Sequence, residues 1–132
     1  MQKSKPPLRL APQPNPMQVV PAWSEAEVAD FLILHDQVDP RYQWHYHPRY
    51  PLANILAPEG RWDRDHWLAW YQANPTQGGE EDERTYLQNP ADNPVILTLV
   101  EGHGKILVGL PRVAVAWKHR LGTVPAIVGI RK

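Results

Sequence analysis

Gly109, Leu110, Pro111 and Arg112 stand where an apolar run gives way to a helical pattern. A glycine at such a junction lets the backbone approach a ligand closely. A helix start offers unpaired amides and a partial positive charge, which suit a phosphate group. Arg112, in the first turn, adds a permanent charge and a forked donor that can grip two oxygens. On this reading the phosphate-binding set is Gly109, Leu110, Arg112 and Val113. Pro111 counts against it, because proline brings no amide N–H. The plainer alternative makes Gly109 a turn residue and Arg112 a surface charge, and the residues alone leave both open.

Groups for acid–base chemistry are sparse. His103 and Glu101, in the turn before Gly109, are weak catalytic candidates, and Lys105 shares their ambiguity. Asp63, Asp65 and His66 cluster at a helix start, where capping accounts for the aspartates. His45 and His47 alternate along one run and project together, but no third ligand lies near them in the sequence, so no metal is assigned. The chain has no cysteine, which excludes disulfides, thiolate zinc sites and thiol catalysis. No Ser-His-Asp order, Walker loop or paired-carboxylate spacing is present.

The elements that must position these groups are easiest to read after Pro94. Residues 95–100 form a β-favouring run, residues 101–104 a glycine turn, and residues 105–108 a returning strand, hence a hairpin. Leu110, Val113, Ala114, Trp117 and Leu121 then fall on one helical face, with Gly122 as the expected stop. Residues 123–128 form a closing strand, so strand, helix and strand are expected to make a right-handed parallel crossover.

Upstream, Ser24 and Glu27 spell a capping box ahead of Val28, Phe31 and Leu32, and Asp39-Pro40 closes that helix. Tyr42, Trp44 and Tyr46 alternate with Gln43, His45 and His47, which predicts a strand. Tyr50 to Ile55 reads as a further short strand, and Asp63 caps a helix that runs to Asn74-Pro75. Trp62, Trp67 and Trp70 are a core stripe or a base-stacking platform, core being the better fit. Residues 80–88 form a helix with an acidic first turn, as the macrodipole favours.

The chain has 132 residues, of which 42% are hydrophobic and 21% charged, enough for one packed domain. Residues 1–22 hold six prolines and read as a flexible arm, leaving 23–132 as a single domain. Fourteen basic residues balance fourteen acidic ones, so no overall basic excess points to nucleic acid. No apolar run reaches the roughly 20 residues of a membrane helix, and no secretory signal opens the chain. A cytoplasmic protein without a membrane partner is expected.

The run GKILVGLPRVAVAWKHRLGTVPAIVGI resembles the ParB/sulfiredoxin superfamily. In that family a hairpin strand enters a glycine-x-x-arginine turn, followed by an alanine-rich helix, a glycine and a closing Val-Pro strand. The match puts the family's glycine on Gly109, its arginine on Arg112 and its alanines on Ala114 and Ala116. Tyr50 to Ile55 is similar to the family's opening strand, so the resemblance spans about residues 50–130, with only the final third specific. The fold it implies is α+β: a small mixed sheet, flanking helices and a C-terminal β-hairpin-α-β unit. The cofactor it implies is ATP or CTP with Mg2+, and relatives include nucleotide hydrolases, kinases and nucleases. This chain departs at Val108, where the family has an acid, and at Leu110 and Pro111, where it has polar residues.

Two functions follow. One is a nucleotide-binding protein that hydrolyses ATP or CTP or cuts DNA, in a plasmid or phage setting like that of fertility-inhibition relatives. The other is a catalytically degenerate interaction module that uses its aromatic surface to block a protein of conjugation or defence. A sulfiredoxin role needs a cysteine, and chromosome partitioning needs a helix-turn-helix for which this length leaves no space.

Overall fold

The computed structural model describes residues 23–76 and 78–132. The arm expected over residues 1–22 lies outside the described residues. The first helix, α1 (Glu25–Leu34), begins at the capping box: Glu27 N–H donates to Ser24 Oγ at 3.1 Å, and Ser24 N–H donates to Glu27 Oε1 at 2.9 Å. It stops earlier than Asp39-Pro40 suggests. Asp36 takes a left-handed φ of 57°, and Gln37 N–H reaches back to the Leu32 carbonyl at 2.8 Å, closing a Schellman turn.

The remaining elements are β1 (Tyr42–Pro51), β2 (Ile55–Leu56), α2 (Arg64–Ala73), α3 (Gly79–Gln88), β3 (Val95–Val100), β4 (His103–Val108), α4 (Leu110–Lys118) and β5 (Thr123–Arg131). The strands form one mixed sheet in the order β1-β5-β3-β4-β2, and the fold class is α+β. Among the described residues no helix is long and apolar enough to cross a membrane.

Both faces of the sheet are covered. Along β3 and β5, Val95, Leu97, Val124, Ala126 and Val128 point one way and pack with Trp67 of α2 and Val113, Ala114 and Ala116 of α4. Ile96 and Ile127, at the alternate positions, point the other way against Val28, Phe31 and Leu32 of α1. Near-continuous apolar runs in β3 and β5 follow from this, since a strand buried on both faces has no polar side. Trp67 is fully enclosed, so of the three tryptophans it is the core anchor, while Trp62 and Trp70 are partly buried beside it.

Two expected arrangements are corrected. The β4-α4-β5 segment is not a parallel crossover: β5 pairs with β3 in parallel, and β4 pairs with β3 antiparallel, so β4 and β5 run in opposite directions. β4 therefore ends, and β5 begins, at the same end of the sheet. A nine-residue helix is about 13 Å long, enough to step across the roughly 10 Å of two strand spacings. Helix α4 makes that step over β3. Tyr50 to Ile55, read as one strand, is instead the end of β1, a single 3-10 turn over Leu52–Asn54 and the start of β2. Asn54 Nδ2 fixes the turn by donating to Tyr50 OH at 2.7 Å and to the Gly102 carbonyl at 3.0 Å.

Helix α4 also stops before Gly122. Arg120 takes the left-handed position, φ 54°, and Leu121 N–H closes onto the Ala116 carbonyl at 3.0 Å. Leu121, counted on the apolar face by its spacing, consequently lies beyond the helix and is 41% exposed.

Candidate functional site

The turn into α4 is built by a bulge and a glycine. In the β3–β4 ladder Leu97 faces Ile106 but Ile96 faces Val108, so Leu107 is the extra residue. The bulge turns Val108 toward the α1 face, next to Ile96. Gly109 follows with φ 114°, and α4 starts at once, with Pro111 in its first turn and no side chain capping it. Proline suits that position, because the amide it lacks has no partner inside the helix.

Gly109, Pro111 and Arg112 form one wall of a cleft of about 480 Å³; Asp82, Glu83 and Tyr86 of α3 form another. Asp82, Glu83 and Tyr86 share a face of α3 by their spacing of three and four. Of the four predicted phosphate contacts, Gly109 and Arg112 line the cleft. Val113 does not: its side chain is enclosed in the core and its N–H donates to the Gly109 carbonyl at 3.0 Å. The Leu110 side chain also packs against the core, which leaves only its backbone at the turn.

Arg112 is half-buried, and among the described residues its side chain has no hydrogen bond and no ion pair. Burial pulls its guanidinium below the usual value, with Tyr86 acting in the opposite sense. Its charge reaches α1 as well: burial and then Arg112 lower the His35 imidazole. Tyr86 is only 6% exposed, and its buried hydroxyl has no partner among the described residues. Burial pushes that hydroxyl up to about 12, against the pull of Arg112. A buried donor left unmatched costs about 1–3 kcal/mol, so an acceptor placed there recovers free energy.

The carboxylates of the cleft are engaged. Glu83 accepts from Tyr71 OH at 3.0 Å, from Lys118 Nζ at 3.1 Å to each oxygen, and pairs with His119 Nε2 at 2.7 Å. Burial raises its carboxyl, but the bonds from His119, Lys118 and Tyr71 outweigh that and hold it below its ordinary value. The same contact, after burial, lifts the Tyr71 hydroxyl to about 12. Glu83 thus ties α2, α3 and the end of α4 together. Asp82 Oδ2 accepts from Gly78 N–H at 2.9 Å, closing the start of α3.

His103 and Glu101 lie elsewhere, at the opposite end of β4 from Gly109. Arg61 Nη2 meets His103 Nε2 at 3.0 Å, and His103 Nδ1 meets the Glu101 carbonyl at 3.2 Å. An arginine can only donate, so Nε2 accepts and Nδ1 carries the proton. That imidazole pins the turn at Arg61 to the β3–β4 hairpin. Glu101 is exposed in the turn. Asp63 caps α2 and pairs with His66 Nδ1 at 2.7 Å. His45 and His47 are exposed on β1, the edge strand, and among the described residues no three metal-ligating side chains gather.

No protein-family model, curated protein or solved structure matches this chain.

The residues that sequence reasoning missed are Tyr86, Glu83, Tyr71, Lys118 and His119. The acidic start of α3 masked Glu83, because a charge near a helix N-terminus already has an explanation. The available clue was Tyr86 at i+3 from Glu83, a large aromatic in a mostly polar helix.

Proposed function

We propose that this protein binds a phosphate-bearing small molecule, a nucleotide in the first instance, in the cleft between α3 and the start of α4. The observation that carries the reading is Arg112: a half-buried arginine with no carboxylate partner among the described residues, at a helix start, beside the unmatched hydroxyl of Tyr86. Burying a charge is unfavourable unless it is paired, and an anion supplies the pair. The resemblance to the ParB/sulfiredoxin superfamily supports the same turn and the same ligand class, ATP or CTP.

The reading is one of binding rather than turnover. Val108 stands where an acid would serve chemistry, and both carboxylates of the cleft are engaged. A general base must be within reach of the proton it removes; both oxygens of Glu83 are taken by Tyr71, Lys118 and His119, and Asp82 holds the Gly78 amide through Oδ2. Hydrolysis of the nucleotide or cutting of DNA is therefore not favoured here.

Calorimetric titration of ATP and CTP, with and without magnesium, into wild type and Arg112→Ala tests the reading. Saturable binding that Arg112→Ala abolishes is expected. Absence of binding to any nucleotide sinks it.

A second reading is favoured by one other observation. Ile33 and Leu34 on α1, and Val38 after it, are 65%, 77% and 64% exposed. Val38, Val100 and Leu107 also border a second recess, of about 370 Å³. Apolar surface of this kind suits a protein partner, as an interaction module would require.

A further inference from the structure

Resting on the phosphate-binding reading, we infer that the cleft takes a ligand with one phosphate on an aromatic or heterocyclic body, a nucleoside monophosphate rather than a triphosphate. Tyr86 donates to that phosphate together with Arg112.

The charges of the cleft carry the argument. Among the described residues that line it, Arg112 is the one cation, while Asp82 and Glu83 are acidic. Lys118 and His119 stand near but are bound to Glu83. One phosphate is matched by one arginine. A second and third would lie against Asp82 or against the apolar wall of Val108, Pro111 and Val115. Like charges held close together repel, so a second and third phosphate would find no favourable place there.

Donors give the same count. Pro111 brings no amide, and the Val113 N–H already serves the Gly109 carbonyl. What is left is the Arg112 fork, the Tyr86 hydroxyl and the first amides of α4, enough for the three outer oxygens of one phosphate. Magnesium, which offsets the charge of a triphosphate, is usually held by one or two protein carboxylates besides the phosphates. Here both oxygens of Glu83 are occupied, and Asp82 serves the Gly78 amide.

The rest of the cleft suits an apolar body. Val108, Val115 and Pro111 give an aliphatic wall, and Tyr71 adds a ring. Its volume of about 480 Å³ lies in the range of small-ligand sites.

The test is calorimetric titration of AMP, CMP, ATP, CTP and inorganic phosphate into the full chain, with and without magnesium, in wild type, Arg112→Ala and Tyr86→Phe. The expected result is saturable monophosphate binding at least tenfold tighter than triphosphate or inorganic phosphate. Arg112→Ala should abolish it and Tyr86→Phe should weaken it about fivefold or more. Triphosphate binding tighter than monophosphate overturns this inference and leaves the phosphate-binding reading standing. Inorganic phosphate binding as tightly as AMP and CMP overturns the claim of an apolar body. Unchanged affinity in Tyr86→Phe overturns the role of its hydroxyl. No binding of any of the five overturns the reading beneath it.

Discussion

A Cβ on Gly109 would lie 2.6 Å from Cγ1 of Val95 and 2.9 Å from its Cβ. Val95 is wholly buried at the start of β3 and cannot retreat. Gly109 also has φ 114°, a conformation that side chains avoid. The glycine is thus required twice over by the fold, whatever binds beside it.

Gly109→Ala is therefore expected to destabilise the protein by about 2–4 kcal/mol, adding backbone strain to overpacking. Urea denaturation measures it. A loss below about 1 kcal/mol would mean that the β3 start gives way more easily than its burial implies. It follows that binding at this turn has to be probed at Arg112 and Tyr86, since a Gly109 variant confounds folding with affinity.

Two helices end on non-glycine residues in the left-handed conformation, Asp36 after α1 and Arg120 after α4. Both close Schellman turns, where glycine is the favoured residue. Replacing Arg120 or Asp36 with glycine should raise stability by roughly 0.5–1 kcal/mol each, and additively, because the sites are on different helices. A thermal melt of the two single variants and the double variant decides it. Lowered melting temperatures would show that these side chains hold their turns by contacts stronger than the strain.

These two helix ends also mark the limit of what the sequence discloses. The starts of α1 and α2 were legible, because Ser24, Glu27 and Asp63 carry capping chemistry in their types and spacing. The end of α2 was legible too, at Asn74-Pro75; the ends of α1 and α4 were not, because an aspartate and an arginine do the work usually given to glycine. The hairpin β3–β4, the body of α4 and the strand β5 were legible from apolar runs, helical spacing and the glycine turn between the strands. The direction of β5 against β4 was not. Nothing local in the chain says that α4 steps across the sheet; that depends on β5 finding a place between β3 and β1.

The site was legible in part for the same reason. Gly109 and Arg112 are neighbours in the chain, and a strand–glycine–helix junction announces itself. Tyr86 and Glu83 come from a helix more than twenty residues upstream, and only packing brings them to Arg112. The reading of His103 as a catalytic candidate rested on proximity in sequence, which a strand six residues long undoes by about 20 Å.

Glu83 supplies a pH dependence with a definite sign. Its carboxyl, ordinarily near 4.5, is lowered in the folded chain. A group depressed in this way contributes stability above its unfolded value and loses it as pH falls through the folded one. Wild type should therefore lose stability as pH drops below about 5 by more than Glu83→Gln does. At pH 7 the variant should be weaker by about 1–3 kcal/mol, since Lys118 and His119 lose their anionic partner. Urea midpoints of both proteins across the acid range read this out. Parallel curves would exclude Glu83 as a source of the acid sensitivity.

Tyr86→Phe separates packing from hydrogen bonding at the cleft. The ring is buried, and its hydroxyl has no partner among the described residues. Removing only the oxygen should leave the stability of the free protein unchanged or raise it by up to about 1 kcal/mol, because an unmatched buried donor disappears. Tyr86→Ala, by contrast, should cost about 3–5 kcal/mol through the cavity it opens. Melting curves recorded without ligand and with excess AMP complete the comparison. Ligand should stabilise wild type more than Tyr86→Phe, since a ligand protects in proportion to its affinity for the folded state. A free Tyr86→Phe protein less stable than wild type by 1 kcal/mol or more would show that the hydroxyl already has a structural partner. Its place in the site would then fall.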